Sequence, residues 1–178
     1  EGAVFPPAQA YIVNPDNSVT WEEDSGIVGA AGGTTEATFI DNYFYNEVGE
    51  EDYFYTIPID LTGSLAAELT FDVSYRQFSA TLSDQMRVDI SVDCGDTYSQ
   101  IYYKDGATLA TGANYTGVWS PGDANDWRNE PVDLTPHTGG AIILRFVNIN
   151  GYGNNLYLDN INVISTISVG TDELEESF

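Results

Sequence analysis

The residues of this chain that could do chemistry are mostly oxygen donors and aromatic rings. Asp and Glu number 28 against 5 Lys and Arg, a formal net charge of -23. Hard cations want several oxygen ligands, so cation binding is the first chemistry such a set allows. A solvated acidic surface accounts for most of the carboxylates. Asp159 stands apart by its position. Leu156 and Leu158 are apolar at even positions, Ile161 and Val163 at odd ones. A strict period of two cannot hold both pairs on one face of a strand. A β-bulge at Asp159-Asn160 restores the register and re-aims side chains. Asp159 there could ligate a metal, or it could cap backbone amides at a polar bulge. A glycosidase pair is easy to draw among so many carboxylates and therefore diagnoses nothing. His137 sits in a Pro-His-Thr-Gly turn and reads as a structural turn residue. Cys94 follows a strand in the tight turn Cys94-Gly95-Asp96, with no base nearby, and reads as a packed or semi-exposed thiol. A lyase acting on uronates would want clustered basic groups, but Arg76, Arg87, Lys104, Arg128 and Arg145 are scattered.

The aromatic residues offer a second chemistry, since sugar faces stack on exposed rings. Tyr43, Phe44 and Tyr45 are consecutive, so at least one must point outward from a strand. Tyr115, Trp119 and Tyr152 fall in loops. The candidate ligand-binding residues are therefore Tyr43, Tyr45, Tyr115, Trp119 and Tyr152, with core packing accounting for most other rings. The negative field repels nucleic acid and anionic membrane surfaces. It also disfavours sulfated or uronic polymers unless calcium bridges them. A neutral glycan or a protein surface remains.

The elements that must position these residues read as strands. Ala141 to Ile164 organises the chain as two strands joined by Asn150-Gly151-Tyr152-Gly153-Asn154-Asn155, a loop of residues that tolerate positive φ. The first of the pair is apolar on both faces, which predicts burial on both. Leu69, Phe71, Val73 and Tyr75 alternate with polar residues, as do Met86, Val88, Ile90 and Val92. These eight, with Leu144 and Phe146, are the expected core. Further strands are expected at Tyr11 to Val13, Val19 to Glu22, Glu36 to Tyr45, Tyr53 to Leu61, Tyr98 to Tyr103 and Trp127 to Leu134. Pro58 marks an edge or a strand end. The acidic residues Glu47, Glu50, Glu51 and Asp52 read as a loop. Gly26 to Thr35 reads as a flexible glycine-rich loop, without the lysine or the strand-loop-helix context of a phosphate loop. No window shows helical periodicity. About ten short strands separated by turn signals make an all-β, antiparallel β-sandwich.

A chain of 178 residues suits one such domain with a real core. Its single cysteine permits no internal disulfide, which mildly favours a reducing compartment but admits an exported bacterial protein held by a metal instead. No apolar run is long enough to span a membrane. The start at Glu1-Gly2-Ala3 reads as an excised or mature domain. The tail from Ser168 loses the alternation and gains acid, which reads as a linker.

Several motifs occur in order across roughly residues 1 to 165. They are Phe5-Pro6-Pro7, Asn14-Pro15-Asp16, Thr20-Trp21-Glu22, Phe39-Ile40-Asp41-Asn42-Tyr43, Pro58-Ile59-Asp60-Leu61, Ser83-Asp84, Val92-Asp93-Cys94-Gly95-Asp96-Thr97, Trp127-Arg128, Val132-Asp133-Leu134-Thr135, and Asn150 through Ile161. Together they resemble the choice-of-anchor J domains of secreted Bacteroidota proteins, which are similar to the cleaved adhesin domains of gingipains and, more distantly, to MAM domains. The chain departs from the pattern at Gln9-Ala10, where Gly-Trp is usual, and at Tyr98, where Trp is usual. The resemblance implies a jelly-roll sandwich over residues 1 to 165, followed at 166 to 178 by an acidic linker toward a type IX secretion sorting domain. It implies a secreted or cell-surface accessory or adhesin module without catalytic activity, monomeric within a larger chain. It also implies a stabilising calcium near the first and last strands, by motif position at Glu1, Asp41 and Asp159, with Asp84 as a further candidate. A structural spacer next to a secreted hydrolase and a jelly-roll polysaccharide-active enzyme are the alternatives.

Overall fold

The computed structural model describes residues 5–167. Eleven strands form two facing antiparallel sheets. The first sheet comprises β1 (Ala10–Val13), β4 (Glu51–Thr56), β10 (Ala141–Ile149), β7 (Gln85–Ser91) and β8 (Ser99–Asp105) in that order, with the short β5 (Ile59–Asp60) also on β10. The second runs β2 (Glu22–Val28), β3 (Thr34–Ile40), β11 (Leu156–Ile167), β6 (Ser64–Tyr75) and β9 (Arg128–Asp133). One helical turn, α1 (Gly106–Leu109), pins Leu109 into the core. The molecule is an antiparallel jelly-roll β-sandwich.

The alternation in β6, β7 and β10 sets the core. Leu69, Phe71, Val73, Tyr75, Met86, Val88, Ile90, Leu144 and Phe146 are all buried. Phe146 links the two sheets, with its ring 5.4 Å from Phe71 and edge-on to it, and 6.3 Å from Phe54. Val92 does not join them and is 63% exposed. β7 stops at Ser91, whose hydroxyl accepts the Asp93 and Gly95 amides and gathers the following turn. That turn lifts Val92 out of the sheet.

The sequence-based bounds shift at several places: the strand expected at Val19 to Glu22 begins only at Glu22, the one expected to reach Tyr45 ends at Ile40, and Tyr53 to Leu61 divides into β4 and β5. The segment expected as a glycine-rich loop is strand at both ends, because β2 continues to Val28 through a bulge at Gly26 and β3 already begins at Thr34, and only 29–33 turn between them. β4 starts at Glu51, so Asp52 belongs to a strand rather than to an acidic loop. β11 continues to Ile167, past the boundary expected at 165. The linker expected from Ser168 lies outside the described residues. The bulge expected in β11 is present, with pairing to β6 shifting between Asp159 and Asn162 and Asn160 at φ 49°.

Candidate functional site

Four connections meet at one end of the sandwich: those after β3, after β6, after α1 and after β10. The β10–β11 loop ties them together through its asparagines. Asn150 Nδ2 donates to the carbonyls of Tyr45 and Glu47, each at 2.9 Å. Asn154 Nδ2 donates to the carbonyls of Tyr115 at 2.8 Å and Gly117 at 2.9 Å, while its Oδ1 accepts the Trp119 amide at 2.8 Å. Asn155 Oδ1 accepts the Tyr43 amide at 3.3 Å. Short side chains with both donor and acceptor can serve two strands' worth of unpaired backbone at once.

Asp84 is the anchor beneath this loop. Its carboxylate accepts the amides of Gly151 at 2.8 Å, Gly153 at 3.1 Å and Asn154 at 2.8 Å. The backbone amide of Asp84 donates to the Tyr75 hydroxyl at 2.7 Å. Burial pushes the Asp84 carboxyl above its ordinary range, against the pull of these amides. Two glycines are required by closeness rather than by φ. A Cβ at Gly151 would stand 1.9 Å from the Ser83 carbonyl oxygen, and one at Gly153 would stand 2.2 Å from Asp84 Oδ2. Between them Tyr152 takes φ 54° and its side chain remains 41% exposed.

Tyr43, Phe44, Phe78, Leu82, Tyr152 and Gly153 line a cleft of about 190 Å³ on this end. The Tyr43 and Phe44 rings meet edge-on at 5.0 Å, and Phe78 lies 6.1 Å from Tyr43. Phe44 is 62% exposed. No charged side chain lines this cleft. Tyr115, 47% exposed, stands nearby, since its amide donates to the carbonyl of Gln77, the neighbour of Phe78.

The structure sorts the expected ligand residues. Tyr43 and Tyr152 reach the cleft together. Tyr115 is exposed but does not line it. Tyr45 is corrected, being fully buried with its hydroxyl donating to Asp16 Oδ2 at 2.8 Å, so it offers no platform. Trp119 is also enclosed, its indole N–H donating to Ser74 Oγ at 3.2 Å and Arg76 covering its ring at 4.6 Å. Phe44, Phe78 and Leu82 were not among the expected residues. Phe44 had a signal, because it separates Tyr43 from a Tyr45 that turns inward. Phe78 and Leu82 depend on how their loop folds back, which no local pattern announces.

The expected metal ligands are not brought together. Glu1 lies outside the described residues. Asp41 Oδ1 accepts the Phe44 amide at 3.3 Å, and burial raises the Asp41 pKa. Asp84 is committed to three amides. Asp159 Oδ2 accepts the Thr35 hydroxyl at 2.9 Å and its Oδ1 accepts the Asn160 amide at 2.7 Å. Leu156 pairs with Ile40 and Leu158 with Thr38, so Asp41 and Asp159 stand at opposite ends of the β3–β11 ladder. Among the described residues, no three His, Cys, Asp or Glu side chains gather to hold an ion. As placed, Asp41, Asp84 and Asp159 do not build a calcium site.

No protein-family model matches the chain, and no curated protein matches it in sequence. Solved structures do match it in shape. The K1 cleaved adhesin domain of Lys-gingipain from Porphyromonas gingivalis W83 superposes with a TM-score of 0.63 at 16% identity, over 90% of this chain and 92% of that one. The K3 cleaved adhesin domain of the same protein gives 0.59 at 17% identity, over 89% and 93%. The CBM22-2 xylan-binding domain from Paenibacillus barcinonensis Xyn10C gives 0.51 at 11% identity, over 89% and 92%. At these identities the likeness is one of fold.

Proposed function

We propose that this chain is a non-catalytic binding module of a secreted or cell-surface protein, and that its loop-end cleft takes a neutral glycan. One observation carries the reading: exposed aromatic rings line an uncharged cleft on a molecule whose formal net charge is -23. Everywhere else such a surface repels anionic polymers. Rings such as Phe44 and Tyr152 offer apolar faces for sugar C–H groups, and Tyr152 adds a hydroxyl at the rim. Two neighbours in shape support the reading by what their names state, adhesin for one and xylan binding for the other. The finer assignment to choice-of-anchor J domains, with export by type IX secretion, rests on the ordered sequence motifs and belongs to the same proposal.

Calorimetric titration with neutral oligosaccharides such as xylohexaose, against polygalacturonate as an anionic control, tests this. Binding should favour the neutral sugars. Tyr152→Ala and Phe44→Ala should each weaken it by roughly fivefold or more, the worth of about 1 kcal/mol of ring contact. Binding that survives both substitutions would place the glycan elsewhere. Affinity for an extracellular protein and for no sugar would replace the glycan as ligand. Release of reducing ends during incubation would overturn the non-catalytic reading.

A further inference from the structure

The two sheets differ in their outer faces. That of the second is roofed by the segment after α1, whose Trp119 and Trp127 pack with Tyr157, Ala37 and Ile27. That of the first has no such roof among the described residues, and Tyr11, Val13 and Tyr103 stand exposed on it. Ile12, Phe54, Phe146 and Val88 point into the core, so the residues on either side of each point outward. Strand pairing sets these in two rows across all five long strands of the sheet. Tyr11, Tyr55, Arg145, Asp89 and Gln100 form one row. Val13, Tyr53, Val147, Arg87 and Tyr103 form the other. With neighbouring strands about 4.8 Å apart, each row is about 19 Å long.

The side chains of the two rows hold one another. Arg145 Nε donates to Asp89 at 2.8 Å. Its guanidinium lies 5.2 Å from the centre of the Tyr53 ring and 4.1 Å from that of Tyr98, which comes from the β7–β8 turn. Arg87 donates through Nε to Asp89 at 3.0 Å and through Nη1 and Nη2 to Glu51 at 3.1 and 3.0 Å. The Tyr53 hydroxyl donates to Glu51 at 2.8 Å. The Tyr11 and Tyr55 rings stack 4.7 Å apart and within 4° of parallel. That spacing is the distance between strands, so the rings stand upright and turn their hydroxyl edges to solvent. Donors remain after this. Arg145 Nη1 meets the Tyr55 hydroxyl at 3.5 Å, and its Nη2 donates to nothing among the described residues. The Tyr11 and Tyr98 hydroxyls are equally unengaged there. Two of the chain's 5 basic side chains stand here, each paired with Asp89 or Glu51, so the middle of the face is balanced on a strongly acidic molecule.

We propose that this face is a second glycan surface, which takes an extended neutral chain laid along the rows. It rests on the reading of the chain as a glycan-binding module, at a place apart from the cleft. Upright phenols and a guanidinium edge present O–H and N–H groups, which sugar hydroxyls can pair with. Their mutual stacking fixes them before the ligand arrives, which lowers the entropic cost of binding. A protein partner would call for an apolar centre, and here Val147 is covered while Val13 stands on the edge strand. An anionic polymer would have to displace Asp89 or Glu51 from a guanidinium. The rows are long enough for several sugar units in line, whereas the cleft of about 190 Å³ encloses a short one.

Calorimetric titration with xylohexaose, cellohexaose and mannohexaose, each against its disaccharide, tests this. At least one hexasaccharide should fill a site that its disaccharide leaves empty. Tyr11→Ala and Arg145→Lys should each weaken that event by about fivefold or more, through loss of a ring or of the planar guanidinium. Both should leave disaccharide binding at wild-type strength, while Tyr152→Ala should weaken the disaccharide and spare the face. Arg145→Lys keeps the charge beside Asp89, and urea unfolding checks that each variant folds. Tyr11→Phe keeps the stack, removes one hydroxyl and should weaken the same event by a smaller factor, which serves where truncation costs the fold. A hexasaccharide event that ignores all three face variants would overturn the inference and leave the cleft reading standing. A hexasaccharide event lost with Tyr11→Ala, beside a disaccharide that never binds, would uphold the face and remove the cleft. No heat with any of these sugars would overturn both.

Discussion

Asp84 and Asp52 are both fully buried carboxylates at one end of the same sandwich, and their surroundings are opposite. Asp84 meets three backbone amides of the β10–β11 loop. Asp52 accepts no hydrogen bond among the described residues, though the Thr20 and Tyr45 hydroxyls lie close enough to lower its pKa. Burial alone therefore says nothing of a carboxylate's task. Donors turned toward it make a structural lock, which is what holds Tyr152 and Gly153 in the cleft. Where no hydrogen bond is accepted, burial instead pushes the carboxyl up toward its protonated form.

Removing the lock should have the larger effect. Asp84→Ala strands three buried N–H groups and frees the loop, for an expected loss of about 3–5 kcal/mol in urea unfolding. The same variant should lose glycan binding, since two residues of the cleft hang on this loop. Asp84→Asn should fall between, because its amide nitrogen would face donors. A loss well under 1 kcal/mol for Asp84→Ala would erase the contrast, showing that the loop holds itself through Asn150 and Asn154.

Asp52→Asn should do the reverse when metal is withheld. The folded protein holds this carboxyl at about 6, above the ordinary value of 3.8. Its unfolded form thus releases the proton at lower pH. The wild type should be most stable below the unfolded value and lose stability as pH rises from about 4 to about 6. In chelator at pH 8, Asp52→Asn should be more stable than wild type by about 1–2 kcal/mol once solvent screening is allowed for. Thermal melts at pH 4 and pH 8 in chelator read this directly, and a destabilised Asp52→Asn at pH 8 would show an unseen donor at Asp52.

The lock and the open charge differ also in how far the sequence foretells them. Alternation in β6, β7 and β10 carries the fold, because a period of two can bury one face only one way. The parity switch at Leu158 and Ile161 foretold the bulge for the same reason. Asp52 carried an equal signal, since it stands two before Phe54 and must share its face. It was hidden by company: Glu47, Glu50 and Glu51 make the segment look like a solvated acidic run. Val92 misled in the opposite sense, continuing the alternation one step beyond the last paired residue. The cleft was half legible. Tyr152 is a loop aromatic as expected, Tyr43 was expected on a strand that stops at Ile40, and Tyr45 and Trp119, no different in sequence, are turned inward with hydrogen bonds to Asp16 and Ser74. Asp84's amide partners lie 67 to 70 positions away, and no local pattern spans that distance.

Asp159 gives the smallest expected effect and the sharpest test of where a cation sits. It lies between the two extremes, with one oxygen on the Thr35 hydroxyl, the other on the Asn160 amide, and partial exposure. Asp159→Ala removes two ordinary hydrogen bonds at a bulge that has other support. Asn160 Nδ2 still donates to Asp72 Oδ2 at 2.8 Å, and Asn129 holds the other Asp72 oxygen at 2.9 Å. The expected loss is about 1 kcal/mol, and it should be the same in calcium and in chelator. Thr35→Ala should lose part of the same energy, and the double variant should lose less than the sum, because the two share a bond. If Asp159→Ala instead melts early only in calcium, the ion is held at the bulge in β11, as the family resemblance implies.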